Sequence, residues 1–560
     1  MSAAKPLSNR DVRRAPLLDA RAATRCPLRT HLMIEPPEHV VEQPLPVDVL
    51  VRIEEGRAFE DQVMAEVAAA VGDLPDLTGD EAGTLAAMAE GVPVIAQAEL
   101  RDHAGRRTGR PDLLVGLPHP TTDGRTAYMP VEVKAHLVTA GGKSGSLGPL
   151  RACAHTDVAG GIDPATVAEV EGPWTRKRPD DLLQLAHYHR LLEHHGHAGP
   201  GWAGVIGSDR TLALVDLTAP TFQSWRNVSG RWSTLEKYDR EFGFRLDVAA
   251  LATDRVDGLT DEDPLVVPAR SSECDRCRFE GVCAPRMEDA DELTLLPKVT
   301  WDVRQRLHAS GLTTRSALAL ADPVTLPTNA IREAADHARV QTSGVSLARV
   351  RGADRLSLPR ADVEVDVDME STPDGRVYLW GCLVTDTLDG ASSRYVPFAD
   401  FSADLDDSAV FVEFWDWLQG VRSSAIDAER SFAAYCWAGG GAEDRYLRLY
   451  GPRVGVDVEA FIGSPEWVDL HRVARAHVTT GGSLGLKVVA ERMGFAWRDD
   501  EPGGGQSMVW YADAVAGDNR QRQRLLDYNA DDVAATRWVR EHLARTWEDL
   551  PRVEDLTPSA

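Results

Sequence analysis

Two segments in the first half of the chain place apolar residues at the spacing of an α-helix, over residues 54–72 and 180–196. The apolar stripe consists of Phe59, Val63 and Val67 in the first segment and of Leu182, Leu185 and Leu192 in the second. Glu60 lies beside the first stripe, while Gln184 and Tyr188 are four positions apart and share one face of the second segment. Both segments are therefore predicted to be amphipathic helices that carry polar side chains next to a buried face.

Between these helices the hydrophobic period changes to two. Val131 and Val133 alternate with Glu132 and Lys134, which predicts a strand with both charged side chains on one face. A short apolar run that contains Asp112 is expected to form an adjacent strand. Two carboxylates on adjacent strands beside a lysine can hold a divalent metal ion and orient a water molecule against a phosphodiester. The alternative interpretation is the polar face of a half-solvated strand.

In the second half, residues 362–370 alternate strictly between acidic and apolar side chains. The acidic positions are Asp362, Glu364, Asp366, Asp368 and Glu370, and the apolar positions are Val363, Val365, Val367 and Met369. We expect a strand with one buried face, which the TPDG sequence at 372–375 turns into a second strand over 377–384. Like charges on one strand face repel each other, so the pattern favours bound cations, with a salt-bridged edge strand as the alternative.

Residues 293–323 combine short helical runs with a turn at Gly311. This pattern favours a helix-hairpin-helix element, whose turn amides grip a nucleic-acid backbone without reading bases. A small helical linker domain is the alternative interpretation. Pro323 and Pro327 then separate this segment from the C-terminal part of the chain.

Composition narrows the class of protein. The chain has 560 residues, a formal net charge of −26 and 43% hydrophobic residues, and its length predicts about three to four domains of about 150 residues each. The acidic balance argues against wholesale coating of nucleic acid, although local basic patches or bound metal ions can override it. No window approaches the roughly 18 apolar residues of a membrane span, and seven dispersed cysteines do not make a disulfide framework. We therefore expect a reduced, cytoplasmic protein without a membrane segment.

Three cysteines form a C-x2-C-x5-C group at Cys274, Cys277 and Cys283. Thiolates at this spacing bind zinc or an iron-sulfur cluster, and both normally take four protein ligands. The nearest histidine on the carboxyl side is His308, whereas Cys26 stands out because it precedes a basic, helix-compatible segment. Simple burial of the triplet as small hydrophobic residues is the alternative. The other cysteines are Cys153, in a glycine-rich loop, and Cys382 and Cys436, on apolar strands where core packing is expected.

The ordered set of helix, Asp strand, E-x-K strand and Q-x3-Y helix resembles the RecB-like branch of the PD-(D/E)XK nucleases, over roughly residues 20–290. The resemblance implies a restriction-endonuclease-like fold that cleaves phosphodiesters with Mg²⁺ or Mn²⁺. It assigns metal binding to Glu60, Asp112 and Glu132, assistance of the chemistry to Lys134, and positioning of the substrate or the site to Gln184 and Tyr188. Glu60 takes a position that is often histidine in this branch.

About 50 residues separate Lys134 from Gln184, and this insertion contains GGKS at 141–144. That sequence is similar to part of a phosphate-binding P-loop, but Leu137 stands where the loop requires its first glycine. We therefore predict no ATP site there. Because no other nucleotide-binding loop is visible, the chain is not expected to be a helicase by itself.

In the iron-sulfur members of the RecB-like branch, one cysteine precedes the nuclease core and a C-x2-C-x5-C group follows it. The same layout here implies a 4Fe-4S cluster held by Cys26, Cys274, Cys277 and Cys283. Such a cluster would close a loop around the whole first nuclease domain, and we expect it to act as a structural staple rather than an electron carrier.

The D-x-E pair that ends the acidic strand and the Y-x3-D pair in the helix-forming run 524–543 resemble the DEDD exonuclease group of the RNase H-like superfamily. More closely, residues 467–495 and 528–536 resemble the RNase H-like domain found behind RecB-like nucleases. The resemblance implies two divalent ions about 4 Å apart, held between carboxylates. It assigns metal binding to Asp368, Glu370 and Asp532 and a catalytic role to Tyr528.

The acid of the second DEDD motif is best matched by Glu443, which follows an expected strand and begins an expected helix. Asp444 remains an alternative, and Asp469 is a structural or supporting candidate. Asp531 competes with Asp532 on spacing, but the four-residue step from Tyr528 favours Asp532.

Together these patterns predict an α/β (α+β) chain with a RecB-like domain over 1–290, a helical, helix-hairpin-helix-like bridge over 291–350 and an RNase H-like mixed-sheet domain over 355–550. The expected function is metal-dependent cleavage of DNA, with RNA as a further substrate, in the processing of ends or single strands during DNA repair or recombination. One alternative is a non-catalytic nucleic-acid scaffold that serves a separate helicase. Another is a zinc-stapled ribonuclease.

Overall fold

The computed structural model describes most of the chain. The described residues are 15–37, 40, 47–72, 74–141, 151–170, 174–176, 180–223, 231–256, 264–372, 375–389, 392–438, 441–499 and 504–558. Parts of three sequence motifs lie outside these ranges, namely Gly142, Lys143 and Ser144 of GGKS, Pro373 and Asp374 of TPDG, and Gly439 and Gly440 of the insertion before Glu443.

By its internal contacts the chain divides into two units, residues 1–44 with 51–286 and residues 45–50 with 287–560. Both units combine helices with mixed sheets, which confirms the predicted α+β class. Within the described ranges, none of the helices combines the length and the apolar character needed to cross a membrane.

The first unit contains helices at both ends and short strands between them. Its helices are α1 (Pro27–Ile34), α2 (Val47–Val71, of which residues 51–71 belong to this unit), α3 (Glu81–Glu90), α4 (Asp180–His195), α5 (Thr234–Val256) and α6 (Glu280–Asp289), which crosses the unit boundary. Its strands are β1 (Val94–Ala96), β2 (Leu100–Asp102), β3 (Arg107–Gly109), β4 (Leu113–Gly116), β5 (Tyr128–Val133), β6 (Thr139–Gly141), β7 (Arg151–Ala154), β8 (Trp174–Arg176), β9 (Trp202–Ile206), β10 (Thr211–Asp216), β11 (Pro220–Gln223) and β12 (Arg231–Ser233).

A six-stranded mixed sheet in the order β1-β4-β5-β9-β10-β7 forms the centre of this unit. Strand β5 is antiparallel to β4 and parallel to β9, and all six of its residues are buried. Val131 and Val133 pack with Val63 and Val67 of α2 on one face of the sheet. Helix α4 packs its leucines into the cluster on the other side, next to the β5 face that carries Glu132. The two predicted amphipathic helices are thus confirmed, whereas Cys153 lies on strand β7 and not in a loop.

The second unit begins with three helices and continues with a second mixed sheet. Its helices are α7 (Trp301–Ala309), α8 (Arg315–Leu320), α9 (Asn329–Ser343), α10 (Asp407–Asp427), α11 (Ala442–Tyr450), α12 (Glu459–Ile462), α13 (Leu470–His477), α14 (Leu486–Arg492), α15 (Gly504–Val515) and α16 (Asn519–Thr546). Its strands are β13 (Ala348–Arg349), β14 (Val363–Ser371), β15 (Val377–Asp386), β16 (Ser392–Ala399), β17 (Phe432–Cys436), β18 (Trp467–Asp469) and β19 (Val478–Thr479).

Helices α7, α8 and α9 correspond to the segment that the sequence assigns to a helical bridge. Thr300, Thr314 and Thr328 cap their N-termini, each accepting a hydrogen bond from a backbone amide in the first turn. The three helices bury a small core of their own. Gly311, in the turn between α7 and α8, has φ +82°, a left-handed conformation that favours glycine.

The second sheet has the order β16-β15-β14-β17-β18, so β14 is its central strand. Strands β14 and β15 form the predicted antiparallel hairpin, while β14, β17 and β18 run parallel. The expectation of one buried face on β14 was wrong, as was the edge-strand alternative, because α16 covers the acidic face. Glu364 and Asp366 are fully buried there and pair with Arg540 of α16.

The opposite face of β14 and β15 packs on α10. Trp380 stacks on Phe414 with ring centroids 4.4 Å apart and an interplanar angle of 5°. Cys382 and Cys436 are completely buried in the same cluster, which confirms that they are core residues. This apolar layer fixes β14 from one side while α16 fixes it from the other.

Candidate active sites

Three carboxylates converge where the end of β14 meets α16. One oxygen each of Asp368, Glu370 and Asp532 lies within 4.8 Å of the other two. Asp368 and Glu370 are two residues apart on one face of the strand, and Asp532 projects from the helix that crosses that face. Glu370 and Asp532 are buried, while Asp368 keeps some exposed surface. Oxygen ligands at this separation suit a divalent cation.

The protonation of this triad reflects its crowding. Loss of hydration and the nearby Asp532 and Glu370 carboxylates hold the pKa of Asp368 well above its usual range. Burial, and then Asp532, raise the pKa of Glu370 to about 8. Ser507 donates a hydrogen bond of 2.9 Å to Glu370, which opposes this shift only partly. Three acids in one small volume therefore favour either protons or a bound cation as neutralising partners.

A lysine and a tyrosine border the triad. Lys487 Nζ, on α14, lies 2.7 Å from the Tyr528 hydroxyl oxygen and donates to it. Tyr528 in turn hydrogen-bonds Asp532, and Trp497 donates its indole N–H to the same carboxylate at 2.7 Å. Lys487 also lowers the pKa values of Glu370 and Asp532, against the dominant effect of burial. The Y-x3-D pair is thus part of a hydrogen-bonded chain that begins at the half-buried Lys487.

Asn529 orients Asp368 from the other side. Its amide nitrogen donates to Asp368 Oδ2 at 2.8 Å, and its amide oxygen accepts from the Tyr395 hydroxyl at 2.7 Å. Gly381, which pairs with Asp368 across β14 and β15, leaves room for this amide. A Cβ atom at Gly381 would lie 1.6 Å from Asn529 Oδ1. The close approach therefore requires glycine at this position.

The structure separates the candidates for the remaining acids. Glu443 is buried at the start of α11, burial raises its pKa to about 7, and its Oε2 has no hydrogen-bond partner among the described residues. Glu443 also contributes to the raised pKa of Asp368, after burial and the carboxylates of Asp532 and Glu370. Asp444 accepts from the Trp467 indole at 2.7 Å, and Asp469 caps α13. Asp531 pairs with Arg498 at 2.8 Å and lies outside the triad.

In the first unit, four of the residues singled out by sequence are joined in a chain. Lys134 Nζ donates to Glu132 Oε2 at 2.6 Å and to Gln184 Oε1 at 3.1 Å. The Gln184 amide donates to the Tyr188 hydroxyl at 3.0 Å. Burial and then Glu132 hold the pKa of Tyr188 well above its usual range. Burial alone would lower the pKa of Lys134, but Glu132 and Asp112 outweigh it and raise that pKa.

Asp112 and Glu60 complete this second acidic group. Asp112 Oδ2 accepts from the Val133 amide at 2.7 Å, which fixes it beside the end of β5. Burial, then Glu132 and Glu60, hold the pKa of Asp112 well above its usual range. The buried Glu132 Oε1 has no hydrogen-bond partner within the described ranges. Among the described residues, the triad of the second unit is the group of three potential metal ligands whose ligand atoms lie within 4.8 Å of one another. The carboxylates of Glu60, Asp112 and Glu132 are therefore more widely spaced than the triad.

The four cysteines proposed as cluster ligands, Cys26, Cys274, Cys277 and Cys283, line one cavity. The Cys26 amide donates to Glu273 at 2.7 Å, which holds the start of α1 beside the triplet. Burial, and then the three other thiols, raise the pKa of Cys283 to about 12. Cys153, Cys382 and Cys436 do not line this cavity.

Sequence reasoning missed several residues that contact these groups. Gln97 donates to Glu60 at 2.8 Å through its side chain and to the Asp112 carbonyl oxygen at 2.9 Å through its amide. It does so from a left-handed backbone with φ 50°, which is uncommon for a residue other than glycine. Asn529 lies within the motif from Tyr528 to Asp532 and could have been noticed, whereas Lys487 and Gln97 have no local signal.

The comparisons with known proteins bear on the second unit. No curated protein matches the chain. A family model, RNase_H_2 of the RNase_H superfamily, matches residues 366–544, a range that starts on β14, ends on α16 and contains the triad. The C-terminal part of this chain is therefore an RNase H-like domain of that superfamily.

Proposed function

We propose that this protein is a divalent-metal-dependent nuclease, and that the triad of Asp368, Glu370 and Asp532 in the RNase H-like domain is one of its active sites. The carrying observation is that these three carboxylates meet within 4.8 Å, where burial and the neighbouring carboxylates raise the pKa values of Asp368 and Glu370. Mg²⁺ or Mn²⁺ bound there would activate water and neutralise charge that develops on a phosphodiester. Nucleic acid is accordingly the substrate class.

The surrounding residues have distinct parts in this proposal. Asn529 orients Asp368, while Tyr528, held by Lys487, presents its hydroxyl next to Asp532. Glu443 supplies the acid of the second motif, since it is buried and acts on Asp368. This set corresponds to an exonuclease of the DEDD group.

We further propose that the first unit is a RecB-like nuclease domain with its own site. Support comes from the hydrogen-bonded chain of Glu132, Lys134, Gln184 and Tyr188 and from the unpartnered oxygen of Glu132 beside Asp112. Glu60, Asp112 and Glu132 would bind the metal, and Lys134 would stabilise negative charge on the phosphate. Two sites in one chain suit the processing of DNA ends or single strands in repair or recombination, beside a separate helicase.

A 4Fe-4S cluster on Cys26, Cys274, Cys277 and Cys283 belongs to the same proposal. The four thiols line one cavity, and burial together with neighbouring thiols raises the pKa values of Cys26, Cys277 and Cys283, so the four cysteines fit a shared metal group. A zinc ion on the same thiolates is the alternative, and visible absorbance and iron content of the purified protein distinguish the two.

The test of the triad combines Mn²⁺ binding with cleavage of end-labelled single-stranded DNA, duplex DNA and RNA. Asp368→Asn should weaken Mn²⁺ binding and slow cleavage of the preferred substrate. Asp444→Asn is the matched control, because Asp444 is hydrogen-bonded to Trp467 instead. Equal Mn²⁺ affinity and equal cleavage rates in the wild type and Asp368→Asn would rule out the triad as an active site. A wild type that cleaves none of the three substrates would leave a non-catalytic scaffold as the better account.

A further inference from the structure

Polar side chains at the end of β5 pair with one face of α4 at three successive levels. Glu132 acts on the Tyr188 hydroxyl, and Lys134 donates to Gln184 at 3.1 Å. At the third level, His136 Nε2 lies 3.0 Å from Asp181 Oδ2. The first two levels belong to the proposed nuclease site, whereas no role has yet been given to the His136–Asp181 pair.

The backbone holds His136 next to the end of β9. Lys134 N donates to Ile206 O at 2.8 Å, which extends the parallel register of β5 and β9 by one residue. Ser208 N donates to His136 O at 3.1 Å, two residues beyond that register, because residues 135 and 136 form a bend. His136 therefore lies beside the polar edge that carries Glu132 and Lys134, and the bond to Asp181 of α4 holds its side chain there.

The His136–Asp181 pair has the geometry of a histidine held for proton transfer. The side chains of His136 and Asp181 are 22% and 15% exposed, so the pair is accessible without being fully solvated. With Nε2–H donated to Asp181, Nδ1 remains to carry a second proton, and it has no hydrogen-bond partner among the described residues. Other charged groups nearby are Lys134, which Asp181 also influences, and Asp209 in the turn after β9.

We propose that His136, oriented by Asp181, is a further catalytic residue of the first unit, the proton donor to the ester oxygen that leaves the phosphate. This inference rests on the proposed nuclease function of that unit. A water oxygen forms a bond to phosphorus while the bond from phosphorus to the leaving oxygen breaks, and the electron pair stays on that oxygen. The Nδ1 proton passes to it, which leaves a neutral imidazole. The attacking water releases its proton to solvent, from which His136 regains one.

The test uses the full chain with Asp368→Asn, so that cleavage reports on the first site. His136→Ala and Asp181→Asn are compared on three single-stranded DNA substrates that differ at one linkage. That linkage is normal in the first substrate, and a bridging sulfur replaces its 3′ or its 5′ ester oxygen in the other two. A thiolate leaves without a proton at neutral pH, so a sulfur linkage has no need of an acid. We expect His136→Ala to slow cleavage of the normal linkage about 100-fold or more. On one of the two sulfur linkages, the His136→Ala protein should cleave at nearly the rate of the protein without this substitution. Asp181→Asn should slow cleavage of the normal linkage less than His136→Ala does, and its rate should recover on the same sulfur linkage.

Two controls separate the possible failures. His119, 80% exposed and 3.5 Å from Asp163, forms another His–Asp pair of this unit, and His119→Ala should leave both rates unchanged. Glu132→Gln reports whether the first site cleaves at all. If Glu132→Gln leaves the rate of the Asp368→Asn protein unchanged, the proposed function of this unit fails and the inference with it. His136 is not the proton donor if Glu132→Gln abolishes cleavage but His136→Ala leaves the cleavage rate unchanged. The same conclusion holds if His136→Ala slows cleavage of both sulfur linkages as much as it slows cleavage of the normal linkage.

Discussion

The five carboxylates of residues 362–370 differ in what neutralises them, although the sequence presents them as one uniform row. Asp362 accepts hydrogen bonds from Ser431, and Glu364 and Asp366 pair with Arg540. Asp368 and Glu370 have Asp532 as their neighbour instead. The alternation therefore identified acids that need cations, but the partner of each acid depends on residues far along the chain.

Gly381 is the residue at which this environment can be disturbed with one methyl group. In Gly381→Ala the new Cβ would overlap Asn529 Oδ1, so Asn529 must move away from Asp368. We expect a loss of about 1–3 kcal/mol in unfolding free energy together with weaker Mn²⁺ binding. Thermal unfolding and Mn²⁺ titration of the two proteins measure both effects.

Gly420→Ala provides the matched control for that change. Gly420 lies in α10 and is exposed, and a Cβ there would meet nothing within 4 Å. Alanine should stabilise the helix by up to about 1 kcal/mol and leave Mn²⁺ binding unaltered. Equal behaviour of both alanine variants would contradict the role given to the Gly381 and Asn529 contact.

Residue patterns predicted most members of the two candidate sites, but few of the residues that hydrogen-bond to those members. Tyr528 and Asp532, and Gln184 and Tyr188, were found because helical spacing places such pairs on one face. Lys487 and Gln97 reach their sites through tertiary packing, from positions with no periodic signal. Asn529 was overlooked because its role depends on hydrogen bonds to Asp368 and from Tyr395, which are distant in the sequence.

At the scale of elements, a buried ionic network joins α16 to β14. Arg540 is completely buried, donates to Glu364 and to Asp366, and its guanidinium carbon lies 4.2 Å from the centre of the Tyr435 ring. Arg360 pairs with Glu364 from the outer side. Burial raises the pKa of Asp366 to about 6 in spite of Arg540. Asp532 is on the same helix as Arg540, and Asp368 is on the same strand as Glu364 and Asp366. The network is therefore expected to fix the position of Asp532 relative to Asp368.

Removal of one partner and removal of the whole network should therefore differ. Arg540→Met alone leaves the buried Asp366 unpaired and Glu364 with Arg360 as its remaining cation, and should cost about 3–5 kcal/mol of unfolding free energy. The triple variant Arg540→Met, Glu364→Gln, Asp366→Asn should recover most of that loss, since it leaves no buried charge. It should still bind Mn²⁺ more weakly than the wild type, because the alignment of α16 and β14 is less strictly specified.

Chemical denaturation and Mn²⁺ titration of the three proteins check this prediction. A triple variant as unstable as Arg540→Met would show that shape, and not charge, decides the stability. A triple variant with wild-type Mn²⁺ affinity would show that the network has no part in positioning the triad.

The same helix explains an error made from the sequence. A strictly alternating strand predicts one face in water, because polar side chains usually point outward. Here α16 covers that face. The acidic side chains can be buried there because they pair with Arg540, which is 174 positions away from Asp366 in the sequence. Periodicity located the strand and the helix correctly, but it could not show that they cover each other.

At the scale of the whole molecule, the cysteine cavity connects the start of the first unit to its end. Cys26→Ser should remove visible iron-sulfur absorbance from anaerobically purified protein as completely as Cys274→Ser does. Cys153→Ser is the control and should retain the colour, since Cys153 lies on β7 outside the cavity. Colourless wild-type protein with one bound zinc would contradict the cluster assignment.

Metal-free protein should lose stability as the pH rises. The pKa of Glu370 is about 8 in the folded state against 4.5 ordinarily, so between these values the folded state binds more protons than the unfolded state. Stability therefore declines with rising pH across that window, and Glu443, with a pKa of about 7, acts in the same direction. Mn²⁺ competes with these protons, so its stabilising effect should be larger at about pH 8.5 than at about pH 6.

Thermal unfolding with EDTA and with Mn²⁺ at both pH values measures this linkage. Glu370→Gln should flatten the pH dependence of the metal-free protein because it removes the titrating group. Equal stabilisation by Mn²⁺ at both pH values would show that these carboxylates do not bind the ion.

The central claim, that two carboxylate sites in one chain cleave nucleic acid, is tested most directly by one comparison of cleavage rates. End-labelled single-stranded DNA, duplex DNA and RNA are digested with Mn²⁺ by the wild type, Glu132→Gln, Asp368→Asn and the double variant. We predict that each single variant loses part of the cleavage and that the double variant has none. A double variant that cleaves at the wild-type rate would contradict the account.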